Sequence, residues 1–213
     1  MYYSAVCNTA GLTSAYFAES SGNIFIVAAL CVLVFFYAIY FVKMLAQKKR
    51  GIQTRQLGKK KEKNVRTVEI ILSIATFIIV PIQLLSIILK WNSAPVCIRI
   101  AGGAVGIIGD CIFLIAVVTM RDSWRAGIPA EDKTTLISVG IYKYSRNPAF
   151  LGFDMMYIGI LLMYFNPMLL AVTVWVVIML HLQILQEEKF LSAAFGEEYL
   201  EYRNHTSRYF GRK

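Results

Sequence analysis

Long apolar runs constrain the fold of this chain more than any other feature. A transmembrane α-helix needs roughly 20 consecutive apolar residues, and several runs of about that length occur here. Only 16% of the 213 residues are charged, whereas a soluble domain carries about 25%. The sequence therefore predicts an all-α integral membrane protein, one domain over residues 1–213. Five transmembrane helices are expected at residues 23–45, 67–89, 96–120, 148–165 and 168–186, and a C-terminal tail at 187–213.

Basic residues indicate how the chain is oriented in the membrane. They concentrate in the loops at 47–66 and 121–147 and in the C-terminal tail. The positive-inside rule predicts that these segments are cytoplasmic and that the N-terminus lies outside. Five spans agree with this, because an odd number puts the termini on opposite sides. A cell (inner) membrane is favoured over an organelle membrane.

The net charge of +9 follows the ends of the spans and does not mark one face of a soluble fold. Membrane lipids with anionic headgroups are therefore expected partners. Nucleic acid is not expected, since its binding would need a basic surface that follows the phosphate backbone.

The N-terminal segment and the cysteines bear on processing and cross-linking. The first 22 residues have no basic n-region, and the apolar run behind them is too long for a signal peptide, so no cleavage is expected. None of the four cysteines forms a C-x-x-C pair, so no metal site is predicted. Cys7 and Cys97 fall on the same outer side, which leaves a disulfide open as an alternative to free thiols.

The third span contains the stretch AGGAVGIIGD. Gly102 and Gly106 have the small-x-x-x-small spacing that lets helices approach closely in lipid, and Gly109 follows one turn later. A nucleotide-binding loop would need the G-x-G-x-x-G pattern after a strand, so helix packing is the favoured interpretation. Asp110 follows near mid-span, where an ionised carboxylate costs about 2.5–3.5 kcal/mol on insertion scales. Both a structural hydrogen bond and a functional role remain open for it.

A polar segment at residues 120–148 leads into the fourth span, and its end continues into that span as SVGIYKYSRNPAFLGFDMMYIG, residues 138–159. Pro148 suits the first turn of a helix, where its missing N–H has no intrahelical partner to lose. Aromatic rings and guanidinium groups crowd the segment, and together such groups can bind a flat, partly charged molecule. A plain connector is the alternative. The crowded side chains are Arg121, Trp124, Arg125, Tyr142, Tyr144 and Arg146.

The fifth span ends with polar residues at helical spacing. Gln183 and Glu187 are four residues apart and share one face, while His181 and Glu188 share a neighbouring face. Carboxylates at the C-terminal end of a helix oppose its macrodipole, so stabilisation of the helix does not explain the glutamates. They either serve a site or end the span in water. An apolar stripe then suits a helix packed on the protein or lying in the membrane interface: Leu191, Phe195, Tyr199 and Tyr202.

Two motifs together resemble a known family. LISVGIYKYSRNPAFLGF, a hairpin hinged at Asn166–Pro167 and EEKFLSAAFGEEYLEYRN are similar to the isoprenylcysteine carboxyl methyltransferase family, whose relatives act on phospholipids. The resemblance covers residues 136–202. It implies a cofactor pocket for S-adenosylmethionine at the cytoplasmic membrane face, closed by the fifth span and the tail.

The resemblance also implies which residues form the site, although it names no catalytic acid or base. Cofactor contacts are implied for Thr134, Thr135, Leu136, Ile137, Tyr142, Asn147, Pro148, Ala149, Phe150 and Glu187. The substrate side is expected to hold Arg146, Asp154 and Gln183.

Three positions depart from the family pattern. Asn147 stands where the family has a histidine, and Phe150 where it has a tyrosine, so a protonatable ring and a hydroxyl are absent. Gln183 stands where family members that act on prenylcysteine have an arginine. A carboxylate acceptor would lose a charge-assisted partner there, which disfavours prenylcysteine as the substrate.

These observations predict an S-adenosylmethionine-dependent methyltransferase that acts on a lipid, lipid-modified or other amphiphilic acceptor. Membrane sterol reductases carry a related C-terminal region, so an NADPH-dependent reductase is one alternative, although those proteins are typically longer. A non-catalytic membrane protein of the same fold is the other.

Overall fold

A computed structural model describes residues 2–54, 63–125, 127 and 135–211, with the backbone alone described for residues 2–21. The described residues form five α-helices, two short 3-10 turns at Arg121–Ser123 and Gly140–Lys143, and no β-strand. The predicted all-α class is confirmed. The helices are α1 (Tyr2–Lys49), α2 (Lys63–Ile88), α3 (Val96–Met120), α4 (Pro148–Met163) and α5 (Pro167–His205).

Four segments are long and apolar enough to cross a membrane: Gly22–Lys49 of α1, α2, α3 with the turn after it, and α5. Helix α4 has 16 residues, about 24 Å at 1.5 Å per residue. The hydrocarbon core is about 30 Å thick, so α4 is shorter than a full span. The predicted membrane class is confirmed, and the fourth expected span, at residues 148–165, stays a prediction.

Glycines bring α3 and α4 into backbone contact. A Cβ atom built on Gly159 would lie 2.6 Å from the backbone nitrogen of Gly106, and one on Gly109 would lie 2.8 Å from the Cβ of Met155. Side chains at these positions would force the helices apart, because real Cβ atoms do not approach so closely. The predicted packing role of the α3 glycines is confirmed.

The structure bears on the role of Asp110 and on the pairing of Cys97, for both of which the sequence left alternatives. Asp110 is buried in α3, and its Oδ1 has no hydrogen-bond partner among the described residues. Cys97 is exposed at the start of α3, but its pairing with Cys7 is not tested. The side chain of Cys7 lies outside the described residues.

The hairpin between α4 and α5 is built as the Asn-Pro hinge predicts. The Asn166 carboxamide oxygen accepts the backbone N–H of Leu169 at 2.9 Å and so caps α5. Its amide donates to the Ser86 hydroxyl at 3.0 Å and the Trp91 carbonyl at 3.2 Å. The hinge is therefore fixed to the end of α2.

Helix α5 continues well past the expected span end at residue 186. Its one non-helical residue is Gly196, whose φ of +53° lies in the left-handed region where glycine carries little penalty. Beyond Gly196 the helix carries Tyr199 and Tyr202 back against the protein, since Tyr199 is 1% exposed. The predicted apolar stripe therefore packs on the protein.

Candidate functional site

Two cavities adjoin in the half of the molecule that holds the α4 N-terminus. The first, called the polar cavity after the Arg146, Asn147 and Glu187 side chains in its lining, has a volume of about 120 Å³. The second, called the apolar cavity, has a volume of about 260 Å³ and lies between α1, α2, α4 and α5. Five residues line both cavities, which are therefore contiguous: Trp124, Arg125, Gly127, Ala149 and Phe150.

Most residues implied to bind the cofactor line the polar cavity. They come from the segment before α4, from α4 itself and from α5, and the fold brings them together: Thr135, Leu136, Ile137, Tyr142, Asn147, Ala149, Phe150 and Glu187. Thr134 lies outside the described residues. Pro148 is buried at the first turn of α4 and does not line the cavity. Phe190, Leu191 and Tyr202 close the cavity from the α5 side.

Residues 135–138 contribute backbone groups to this cavity. They belong to no helix or strand, and their N–H and C=O groups make no backbone hydrogen bonds with other described residues. Backbone polar groups in a protein need partners. This segment can therefore offer donors and acceptors to a bound molecule.

Tyr142 forms a fixed wall of the polar cavity. It is 5% exposed, and its carbonyl accepts a hydrogen bond from the Tyr202 hydroxyl at 2.7 Å. Burial, with smaller contributions from Tyr202 and Glu187, raises the pKa of the Tyr142 phenol well above its usual value. The phenol therefore stays protonated and can donate at neutral pH.

Glu187 and Gln183 lie one turn apart on the face of α5 that meets the cavities. The Gln183 Nε2 donates to the Glu187 Oε1 at 3.1 Å and lies 3.5 Å from the Oε1 of Glu69. Glu69, on α2, is fully buried. Since ionised carboxylates only accept hydrogen bonds, the two glutamates fix the orientation of the Gln183 amide.

Glu188 has a different environment from its neighbour. Its carboxylate binds the guanidinium groups of Arg146 at 2.8 Å and Arg208 at 2.9 Å, and the Asn147 amide donates to it at 3.3 Å. Burial alone would raise its pKa, but the hydrogen bonds from Arg208 and Arg146 prevail and lower it. The alternative in which the glutamates end the span in water is wrong for Glu188, because the chain after α5 folds back over it.

The residues expected on the substrate side are not brought together. Arg146 lines the polar cavity, but its guanidinium is bound by Glu188 and by the carbonyls of Arg203 and Thr206. Asp154 is buried and lines neither cavity. Gln183 lines the apolar cavity.

The apolar cavity is largely aromatic, and sequence reasoning missed most of it. Tyr37, Tyr40 and Phe41 come from α1, and Phe153 and Tyr157 come from α4. Their rings contact each other; for example, the ring centroids of Phe153 and Tyr157 are 6.0 Å apart. The i, i+3, i+4 spacing on α1 is a signal that could have indicated one shared face.

The junction of the two cavities is anchored by α1. The buried Gln47 amide donates to the Trp124 carbonyl at 2.9 Å, and its oxygen accepts from the Thr54 hydroxyl at 2.6 Å. Arg50 adds an exposed ion pair with Asp122 at 2.8 Å. These contacts hold the segment that roofs both cavities, and nothing in the sequence indicated a role for Gln47.

Comparison with known proteins agrees with this arrangement. Residues 98–198 match the family model for phospholipid methyltransferases. The match covers α3, the polar segment, α4 and most of α5, so it includes the predicted motifs and begins earlier than they do.

Several curated relatives are named protein-S-isoprenylcysteine O-methyltransferase. The protein from Saccharomyces cerevisiae is 30% identical over 120 residues, which are 55% of this chain and 50% of the relative. The one from Rattus norvegicus is 32% identical over 120 residues, 54% of this chain and 39% of the relative. A probable member from Oryza sativa subsp. indica is 37% identical over 99 residues, 45% of this chain and 52% of the relative. The chain thus spans about half the length of these relatives or less.

The helical membrane fold and most of the residues that line the polar cavity thus coincide with a segment that is similar to membrane methyltransferases. The comparisons support the predicted family: residues 98–198 match the phospholipid methyltransferase model, and isoprenylcysteine methyltransferases are among the similar proteins.

Proposed function

We propose that this protein is an S-adenosylmethionine-dependent methyltransferase whose acceptor is an amphiphile that carries an amine. The observation that supports it most is the contiguity of the two cavities at Trp124 and Phe150. A polar cavity suits the cofactor, and an aromatic cavity at membrane depth suits an acyl or alkyl chain. Their junction is then the place where the acceptor headgroup meets the cofactor.

The polar cavity has the chemistry that the cofactor requires. Leu136, Ile137 and Phe190 offer apolar surface for an adenine ring, and Glu187 offers a carboxylate for hydroxyl or amino donors. The backbone of residues 135–138 adds hydrogen-bonding groups. When bound, S-adenosylmethionine supplies an electrophilic methyl group on sulfur.

The orientation of the chain follows the basic residues. We place the polar cavity at the cytoplasmic membrane face, the C-terminus in the cytoplasm and the N-terminus outside. Exposed basic residues such as Lys48, Lys143 and Arg203 lie on segments next to this end of the molecule. With this orientation the acceptor enters from the inner leaflet, its headgroup towards the polar cavity.

Gln183 favours an amine over a carboxylate as the acceptor group. Its Nε2 faces the carboxylates of Glu187 and Glu69, so its Oε1 points away from them. That oxygen is buried and has no hydrogen-bond partner among the described residues. An N–H group would satisfy it, whereas a carboxylate would add a third acceptor to a site that holds two carboxylates.

The reaction needs positioning more than acid–base chemistry. With S-adenosylmethionine held by Glu187 and the backbone of residues 135–138, its methyl group would be transferred to the lone pair of a neutral amine, and S-adenosylhomocysteine and a proton would be the other products. Alignment of two bound reactants can account for several kcal/mol of the barrier. Trp124 and Phe150, at the junction, exclude water from this contact.

The first test of the proposal is calorimetric titration of the purified protein with S-adenosylhomocysteine, S-adenosylmethionine and NADPH. We expect binding of both methionine derivatives and none of NADPH. Binding of NADPH alone would refute the methyltransferase proposal and favour a reductase.

The second test compares acceptors in an assay that follows transfer of a radiolabelled methyl group. We expect an amine-headgroup phospholipid to be methylated at least about tenfold faster than a farnesylcysteine analogue. The reverse preference would leave the methyltransferase proposal intact and refute the amine acceptor.

A further inference from the structure

Arg125 lies at the junction of the two cavities, outside the motif residues implied to form the site. It is half-buried and lines both cavities. Its Nη1 donates to the Trp124 carbonyl at 2.9 Å and also to the Asp122 carbonyl. Both carbonyls belong to the same short segment as Arg125, so they fix the guanidinium at the junction.

The polar cavity has few charged side chains. Among the described residues that line it, the charged ones are Arg125, Arg146 and Glu187. The charge of Arg146 is balanced within the protein, because its Nη2 donates to the Glu188 carboxylate at 2.8 Å and its side chain is 5% exposed. Glu187 is an anion and would repel another. An anionic group of a molecule in this cavity would therefore bind at Arg125.

A guanidinium group suits a carboxylate in particular. It carries five N–H donors in a planar fork and can bind both oxygens of a carboxylate through two parallel hydrogen bonds. The two main-chain carbonyls accept from one nitrogen of Arg125. The fork can therefore hold these carbonyls and a ligand at the same time.

The cofactor of the proposed function has a carboxylate at one end. S-adenosylmethionine joins adenosine to a methionine part through the sulfur that carries the methyl group. Leu136 and Phe190 offer apolar surface for the adenine ring in the polar cavity. With the carboxylate at Arg125, the sulfur would lie between these contacts, and its methyl group would lie near Phe150, which lines both cavities.

We propose that Arg125 binds the carboxylate of the methionine part of S-adenosylmethionine and so directs the methyl group towards the apolar cavity. The inference rests on the proposed function, since it assumes that the polar cavity holds this cofactor. It adds a binding residue that precedes the motifs at residues 136–202, and it fixes which end of the cofactor lies at the junction.

The test compares S-adenosylhomocysteine with its decarboxylated analogue, which keeps the adenosine, the thioether and the amino group. Calorimetric titration of the purified protein measures both affinities, so no methyl transfer is needed. We expect the wild type to bind S-adenosylhomocysteine at least about tenfold more tightly, the size of one hydrogen bond to a charged group. Arg125→Gln should lose this preference, because its affinity for the analogue should stay within about twofold of the wild type.

Arg121→Gln is the matched control. Arg121 lies four residues away, is exposed and lines neither cavity. This variant removes the same charge from the same segment and should keep the preference for S-adenosylhomocysteine.

The analogue also separates binding from a purely structural role of Arg125. If the guanidinium only holds the carbonyls of Asp122 and Trp124, Arg125→Gln should weaken both ligands equally, and this result would overturn the inference. Equal affinity of the wild type for both ligands would also overturn it and leave the proposed function intact. Binding of neither ligand by the wild type would refute the proposed function itself.

Discussion

Glu187 and Glu188 are neighbours in sequence, yet they lie on two faces of α5 with different roles. The cavity face carries Gln183 and Glu187, which line the two cavities. The tail face carries His181 and Glu188, which bind Tyr209 and Arg208 of the segment after α5. Successive helical residues point about 100° apart. One helix therefore supplies binding groups on one face and holds the C-terminal segment with the other.

The two carboxylates differ in burial and in where they lie relative to the cavities. Glu188 is buried, and two arginines and Asn147 bind it. Glu187 is partly exposed on the polar cavity, and the neutral amide of Gln183 donates to it. A carboxylate surrounded by guanidinium groups is suited to a structural role. One that borders a cavity is suited to bind a ligand.

The largest expected effect is on stability through the tail face. Glu188→Gln removes the charge that balances Arg146 and Arg208, of which Arg146 is almost fully buried. Removing one partner of a buried ion pair typically costs 3–5 kcal/mol, and Arg208 is partly exposed, so we expect about 3 kcal/mol. Denaturation of the protein in detergent measures this loss in the free energy of unfolding. Lys189→Gln, an exposed neighbour, should change stability by less than about 0.5 kcal/mol, and similar values for both variants would contradict the distinction.

The next effect is on the cavity face and concerns affinity. Glu187→Gln should weaken binding of S-adenosylhomocysteine at least about tenfold, since a hydrogen bond to a charged group contributes roughly 1.5–3 kcal/mol. Stability should remain nearly unchanged. Calorimetric titration measures the affinity, with Glu198→Gln, exposed on the same helix, as the control. An unchanged affinity would remove Glu187 from the cofactor site.

A smaller effect is expected on the choice of acceptor. Gln183→Met keeps the length of the side chain but removes the amide oxygen that we expect to accept the N–H of the amine. The ratio of kcat/KM for an amine over a carboxylate acceptor should fall about fivefold, the size of one neutral hydrogen bond. Gln186→Met is the control, since Gln186 lines neither cavity. An equal fall in both variants would show that the amide does not select the acceptor.

The smallest effect is the pH dependence of the stability that the tail face provides. Glu188 lies beyond the span expected at 168–186, and its folded-state pKa is lowered from the usual 4.5, because the arginine hydrogen bonds outweigh burial. The charged form therefore stabilises the fold above about pH 4.5, and this contribution is lost as the pH falls through the lowered pKa. Thermal denaturation between neutral pH and about pH 3 should show the loss in the wild type. The same scan on Glu188→Gln should lack this component, and identical pH profiles would assign acid sensitivity to other groups.

Sequence patterns predicted the helices well, because each pattern acts locally. Val96–Met120 matches the expected third span, Asn166–Pro167 forms the expected hinge, and the α3 glycines pack against α4. The motif residues before α4 also line one cavity. These motif residues lie in one continuous part of the chain, residues 136–202. The family pattern could therefore be matched to them residue by residue.

Contacts between distant segments could not be predicted in the same way. Glu69 lies 114 residues from Gln183, and Gln47 lies 77 residues from Trp124. A glutamate or glutamine in an apolar helix shows that a partner is needed, and the sequence does not say which one. Arg146 was expected on the substrate side from the motif alone, whereas the fold uses its guanidinium to hold Glu188, 42 residues away.

The sequence by itself determined the all-α membrane class, the approximate helix positions, the similarity to methyltransferases and most of the motif residues that line the polar cavity. Apolar length, small-residue spacing and local motifs carry that information, because they depend on residues close together in the chain. Only the tertiary structure decided that α1 and α2 contribute an aromatic cavity, and that Glu188 holds the tail while Glu187 faces the cavity. Both features depend on how the helices pack and on where the chain folds back after residue 205. The contacts that stabilise them join residues far apart in the sequence, and no local pattern predicts which residues meet.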